Sequence, residues 1–171
     1  AVTDLDHITA WRRVVVVGSH ADLAATLTAL LRADRLDIEV AHVRRPWAAR
    51  RAVTAPATRV PLIRDETGTV IARAAYWTPA GDDRTLRGEA LVDDERLFDG
   101  EVSAVRIEPT TSMPGLRARA MPGPKRWVTG RAAQLGTTGA LVVRDGVPAA
   151  LAVRRSTFYR HTEGWLRVGR R

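Results

Sequence analysis

A hydroxyl and an imidazole stand side by side in Gly18-Ser19-His20, directly after the aliphatic run Val14-Val15-Val16-Val17. Open α/β sheets bind ligands outside the carboxyl ends of their strands, so this junction is the first candidate for chemistry. Ser19 beside His20 could form a nucleophile and its base. Adjacent side chains rarely point at each other, however, and Ser19-His20-Ala21-Asp22 also has the Ser-x-x-Asp form of a capping box, in which serine and carboxylate satisfy the first N–H groups of a helix. A helix start also offers unpaired N–H groups to an anion, which keeps Gly18, Ser19 and His20 as candidate phosphate-binding residues.

Two later segments offer anion chemistry of other kinds. Gly136-Thr137-Thr138-Gly139, preceded by Arg131, could wrap a phosphate with successive backbone N–H groups; the alternative is a plain turn between strands. Arg154-Arg155-Ser156-Thr157-Phe158-Tyr159-Arg160-His161 interleaves cations with rings, a pattern that suits nucleic acid, where arginine meets phosphate and a ring stacks on a base. Its alternative is a terminal strand pair with Phe158 and Trp165 in the core and arginines snorkelling outward. The candidate anion-binding set is therefore Gly18, Ser19, His20, Arg131, Arg154, Arg155, Arg160 and His161.

Other chemistries find no residues. There are no cysteines, which excludes disulfides, thiolate metal sites and cysteine nucleophiles. The four histidines, His7, His20, His42 and His161, include no helical i, i+4 pair, and neither His-Glu-x-x-His nor Gly-x-Ser-x-Gly occurs. The sequence calls for no metal and no cofactor. The longest aliphatic run is Val14 to Val17, far short of the ~20 residues of a membrane helix, and Ala1–Asp6 lacks the basic start and apolar stretch of a signal peptide. A cytoplasmic protein is expected.

Charge is distributed unevenly. Of the 27 basic residues only Lys125 is lysine, a bias that fits a GC-rich genome such as an actinobacterial one and inflates the arginine count. Residues 1–57 carry a net charge of +2, residues 58–114 carry −4, and residues 115–171 carry +10. This asymmetry favours an anionic small molecule or an acidic protein surface as partner, with nucleic acid as a further option.

The elements that must position these residues change character along the chain. Val14–Val17 suits a strand buried on both faces. Leu23, Leu27, Leu30 and Leu31 form one helical stripe after the cap, and Asp37–Val43 reads as a second strand, completing a strand–helix–strand crossover. Residues 44–61 read as a basic loop (Arg44, Arg45, Arg50, Arg51) with one helical turn near Ala48–Val53. Beyond it, Arg64–Thr69 reads as a hairpin turn, as do Asp93-Asp94, Asp99-Gly100 and Asp145-Gly146. Leu116-Arg117-Ala118-Arg119-Ala120 alternates strictly between apolar and cationic residues. Leu141–Val143, Leu151–Val153 and Trp165–Val168 supply further short strands. The expected fold is α+β: an α/β unit with a basic loop over residues 1–80, a boundary at Pro79–Asp83, and an all-β sandwich-like module over residues 81–171.

The strand at Arg13–Val17, the capped helix and the strand at Asp37–Val43 resemble the start of the diacylglycerol kinase, sphingosine kinase and NAD kinase superfamily. In that family an α/β domain precedes an all-β domain with Asp-Gly-Glu hairpins. Asp99-Gly100-Glu101, followed by Val105–Pro109 and Gly115-Leu116-Arg117, is similar to such a hairpin and its return strand. The family's Gly-Gly-Asp-Gly-Thr nucleotide loop has no counterpart; the nearest string, Asp65-Glu66-Thr67-Gly68-Thr69, lacks the leading glycines. Members are longer than this chain, which implies that part of the α/β domain is missing. The resulting expectation is a non-catalytic protein of kinase-like layout that recognises an anion through its basic C-terminal face. A kinase-related enzyme using the Gly18–Asp22 turn for phosphate is the alternative, and nucleic-acid binding through Arg154–His161 a second one.

Overall fold

The computed structural model describes residues 5–45, 49–122 and 126–169. Pro46, Trp47, Ala48 and Lys125 lie outside the described residues, as does the side chain of Arg51. A short 3-10 helix, Leu5–Ala10, leads into β1 (Arg13–Val17), α1 (His20–Arg32), β2 (Glu39–Val43), α2 (Ala49–Thr54) and β3 (Ala57–Val60). α1 buries Leu23, Leu27 and Leu30 against Val16, Ile38 and Val40. Each such leucine, fully removed from water, stabilises by roughly 1.5–3 kcal/mol. β1 and β2 pair in parallel, Arg13 opposite Glu39 through Val17 opposite Val43.

The chain then becomes all strand: β4 (Ile63–Asp65), β5 (Val70–Ile71), β6 (Ala75–Pro79), β7 (Leu86–Val92), β8 (Glu95–Val102), β9 (Ala104–Pro109), β10 (Leu116–Met121), β11 (Val128–Gly130), β12 (Ala132–Arg144), β13 (Val147–Pro148), β14 (Val153–Arg160) and β15 (Trp165–Val168). β4 to β14 form one 11-stranded sheet that folds over itself. The pivot is the 13-residue β12. Its first half pairs with β7, its second half with β6, and both halves with β14 on the other edge. The β7–β8 hairpin thereby packs across β10, with Trp77, Phe158, Leu86, Ile107 and Leu116 fully buried between the layers.

Three sequence expectations are corrected here. Gly136–Gly139 is neither a turn nor a phosphate loop; it is an irregularity inside β12, where pairing switches partner between Gly136 and Ala140. Close approach explains the glycine facing it on β7, since a Cβ on Gly88 would meet the Gly136 carbonyl oxygen at 2.1 Å. Asp99-Gly100 lies within β8, opposite Glu89 and Gly88, and the hairpin turns instead at Asp93-Asp94. The sheets do not divide the chain at residue 81 either. β4, β5 and β6 belong to the large sheet, and β15 returns to the small one, parallel to β2 and antiparallel to β3, in the order β1-β2-β15-β3. The Asp145-Gly146 turn is present, with positive φ at both residues (48° and 89°), joining Arg144 to Val147.

Candidate functional site: a cationic cleft between the sheets

The return of β15 creates a groove between the two sheets. Its larger chamber, about 510 Å³, opens beside the carboxyl ends of β1 and β2, and its lining includes His20, His42, Arg73, Thr110, Thr111 and Arg167. A second chamber of about 340 Å³ continues from it past Val60, Pro61 and Thr111, which line both, towards Arg59, Arg160 and His161. Among the described residues, neither lining includes a carboxylate.

The structure places the sequence candidates unevenly around this cleft. At the start of α1 the capping box is complete: Ser19 Oγ accepts from the Asp22 N–H, and Asp22 accepts from the Ser19 N–H at 2.7 Å and from its hydroxyl at 2.8 Å. Those two bonds hold the Asp22 carboxyl below its usual range. A carboxylate of the chain itself therefore occupies the helix N-terminus where a phosphate would sit, and Ser19 is not paired with His20. His20 instead stands edge-on to His42, ring centres 5.0 Å apart. His42 Nε2 lies 2.9 Å from the Gly18 carbonyl oxygen. A carbonyl only accepts, so Nε2 carries a proton and donates. Burial, and then the neighbouring His42 and Arg73, lower the His20 pKa below its ordinary value.

At the far end, Arg160 donates to the Pro114 carbonyl and lies against Met113 Sδ. His161 accepts from Arg64 Nε at 3.3 Å, and its pKa is lowered by burial and then by Arg64. Arg131, Arg154, Arg155 and Arg160 lie apart on the large sheet. Arg131 neighbours Arg160, whose N–H donates to the Arg131 carbonyl, whereas Arg154 and Arg155 are exposed at the opposite end of β14, about 17 Å away at ~3.3 Å per residue. Ser156 and Phe158 of the same segment point into the core.

Arg73 and Arg167 were missed by sequence reasoning. Neither guanidinium makes a hydrogen bond or ion pair among the described residues, and both line the larger chamber. Arg73 is presented by an unusual staple. The Asp145 carboxylate accepts from three successive backbone N–H groups, Ala72, Arg73 and Ala74, at 2.8, 2.7 and 3.0 Å. Arg167 follows from the placement of β15 between β2 and β3. For Arg167 the only sequence signal was the basic bias of the last third; Arg73 stands in the acidic middle third and had none. Asp65-Glu66-Thr67-Gly68-Thr69, the nearest string to a nucleotide loop, does not line the cleft: it is the β4–β5 turn, closed by Asp65.

This arrangement of a small α/β sheet, a folded β sheet and a returning last strand is found in solved structures. An NAD kinase from Archaeoglobus fulgidus in complex with ATP superposes with a TM-score of 0.66 at 10% identity, covering 95% of this chain and 79% of that one. The chain has the NAD kinase and diacylglycerol kinase fold. A diacylglycerol kinase from Bacillus anthracis str. Sterne gives 0.66 at 9% identity, over 93% of this chain and 78% of that one. Yeast NADH kinase complexed with NADH gives 0.66 at 9% identity, over 94% of this chain and 63% of that one. No family model matches the sequence, and no curated protein matches it. At such identity the likeness concerns the fold alone. Among the described residues, no helix is long and apolar enough to cross a membrane.

Proposed function

We propose that the protein binds a phosphorylated anion of the nucleotide class in the cleft between its sheets and performs no phosphoryl transfer on it. The observation that carries this reading is the chemistry of the lining. His20, His42, Arg73, Arg167, Thr110 and Thr111 line one chamber, and the two guanidiniums have no hydrogen bond or ion pair among the described residues. Such groups stabilise anionic oxygens by charge-assisted hydrogen bonds. Phosphoryl transfer, by contrast, needs carboxylates to hold Mg²⁺ and to orient the nucleophile, and the described lining supplies none. The basic last third of the chain contributes Arg160, His161 and Arg167 to this cleft. The ligand class is supported by the ATP and NADH bound in two structures of the same fold. The reading in which the Gly18–Asp22 turn grips phosphate is less well supported, because Asp22 already takes its N–H group.

Calorimetric titration with ATP, NADH and inorganic phosphate tests the proposal. Arg73→Gln and Arg167→Gln should each weaken binding by about tenfold or more, since a hydrogen bond to a charged group contributes ~1.5–3 kcal/mol. Unchanged affinity in both variants would remove the cleft from the site. Release of labelled phosphate from ATP by the purified protein would overturn the non-catalytic part.

A further inference from the structure

The alternating segment Leu116–Ala120 puts Arg117 and Arg119 on the outer face of the β sheet, and neither lines the cleft. There they meet a row of side chains crossing four strands. Tyr76 of β6 lies opposite Arg106 of β9, and Arg106 opposite Arg119 of β10. Ala118 pairs with Val128, so Trp127 continues the row beyond Arg119. Three strand spacings make this row about 14 Å long. The guanidinium carbons of Arg117, Arg119 and Arg106 stand 4.3, 4.8 and 5.9 Å from the centre of the Trp127 ring, and that of Arg106 also lies 5.7 Å from the Tyr76 ring.

Folding alone does not account for this row. Like charges directly opposite each other on adjacent strands destabilise a sheet, and Arg106 and Arg119 are such a pair. A single carboxylate stands among the three arginines and pairs with two of them: Glu108 binds Arg106 through one oxygen and Arg117 through the other, the latter at 2.6 Å. Arg119 has no ion pair among the described residues, and the Nε atoms of both Arg106 and Arg119 lack an acceptor. The face therefore holds two uncompensated charges, framed by two partly buried aromatic rings.

We propose that this face of β6, β9, β10 and β11 binds single-stranded nucleic acid. Phosphates are held by Arg106, Arg117 and Arg119, and bases stack on Tyr76 and on the guanidinium groups that cover Trp127. Guanidinium planes backed by rings offer a stacking surface to a planar base. An acidic polypeptide would use the charge and leave the rings without a role.

The test is the fluorescence anisotropy of labelled oligodeoxythymidylate at about 50 and about 200 mM salt. Three neutralised phosphates give a logarithmic salt slope near −2 on a single strand, or about twentyfold weaker binding across that range. Arg119→Gln should lower the slope to about −1.4, leaving about a sevenfold change. Trp127→Ala should weaken binding about tenfold with the slope unchanged, and Arg119→Lys should keep the slope while losing affinity, because lysine retains the charge and not the stacking plane. Arg154→Gln with Arg155→Gln should leave affinity within about twofold of the parent. Absence of binding at the lower salt, polyglutamate competing as well as the oligonucleotide, or the Arg154/Arg155 variant losing as much as the Arg119 variant would each overturn the proposal.

Discussion

Replacing Asp65 with alanine separates a structural carboxylate from a nucleotide-loop remnant. Asp65 is completely buried. One oxygen accepts from the Thr67 N–H at 2.9 Å, the Thr67 hydroxyl at 2.7 Å and the Thr69 N–H at 2.9 Å. The other takes Arg144 through Nε and a terminal nitrogen, both at 2.5 Å, and the Arg144 side chain is itself only 18% exposed. Asp65→Ala leaves a nearly buried guanidinium uncompensated, which costs about 3–5 kcal/mol, and strips two turn N–H groups of their acceptor at about 0.5–1.5 kcal/mol each. A total near 5 kcal/mol lowers the melting temperature of a domain of this size by about 10–20 °C, at ~2–4 °C per kcal/mol. The companion change Arg144→Met, made on top of Asp65→Ala, should recover most of the loss, because the stranded charge disappears with its partner. Urea denaturation of the parent, both single variants and the double variant closes the cycle. A single-variant loss below about 1 kcal/mol, or no recovery in the double variant, refutes the buried-pair argument. If Asp65→Ala instead melts normally but no longer binds ATP, Asp65 belongs to a ligand site and the turn has been misread.

The remaining predictions concern other joints of the same frame. Ser19→Ala should cost about 0.5–2 kcal/mol of stability, since Asp22 loses its cap partner, while ATP affinity in the cleft stays the same. Gly88→Ala should destabilise by more than about 2 kcal/mol, because its Cβ would strike the backbone of β12 at the point where that strand changes partner; an unchanged urea midpoint would place the two layers farther apart than described. Burial depresses the pKa of both His20 and His161, so the unfolded chain binds their protons first and stability falls as pH drops from about 7 through the ordinary histidine range. Once protonated, the same imidazoles attract an anion, so the thermal shift produced by ATP should be larger at about pH 5.5 than at about pH 7.5; the opposite trend would place the ligand away from His20 and His161.

Local signals in the sequence led to local structure. Val14–Val17, the Ser19–Asp22 box and the leucine stripe all describe contacts within a few residues, and β1, the capped α1 and the buried Leu23, Leu27 and Leu30 follow them. The Asp145-Gly146 turn has the same origin, because two adjacent positive φ angles are a dipeptide property. Asp99-Gly100 carries the same signal and forms no turn. There Gly100 lies opposite Gly88 in the middle of a seven-residue pairing between β7 and β8, and the hydrogen bonds of a complete ladder outweigh a dipeptide preference. Gly136–Gly139 fails similarly: the segment lies where β12 passes from β7, a partner about fifty residues distant in sequence, to β6.

The cleft was hidden for a related reason. Trp165-Leu166-Arg167-Val168 mixes apolar and cationic residues as an edge strand of either sheet would, and nothing in those four residues selects a partner. What selects the small sheet is space between two other strands: β2 and β3 leave a gap that β15 fills, parallel to one and antiparallel to the other. Only that insertion brings Arg167 to the same chamber as His20, His42 and Arg73. Arg73 depends in turn on Asp145, 72 residues later, for the three hydrogen bonds that fix its turn. The site is thus assembled from residues that share no spacing, each delivered by a long-range pairing. In this chain the charge of the last third was the readable trace of the cleft, and its geometry was not.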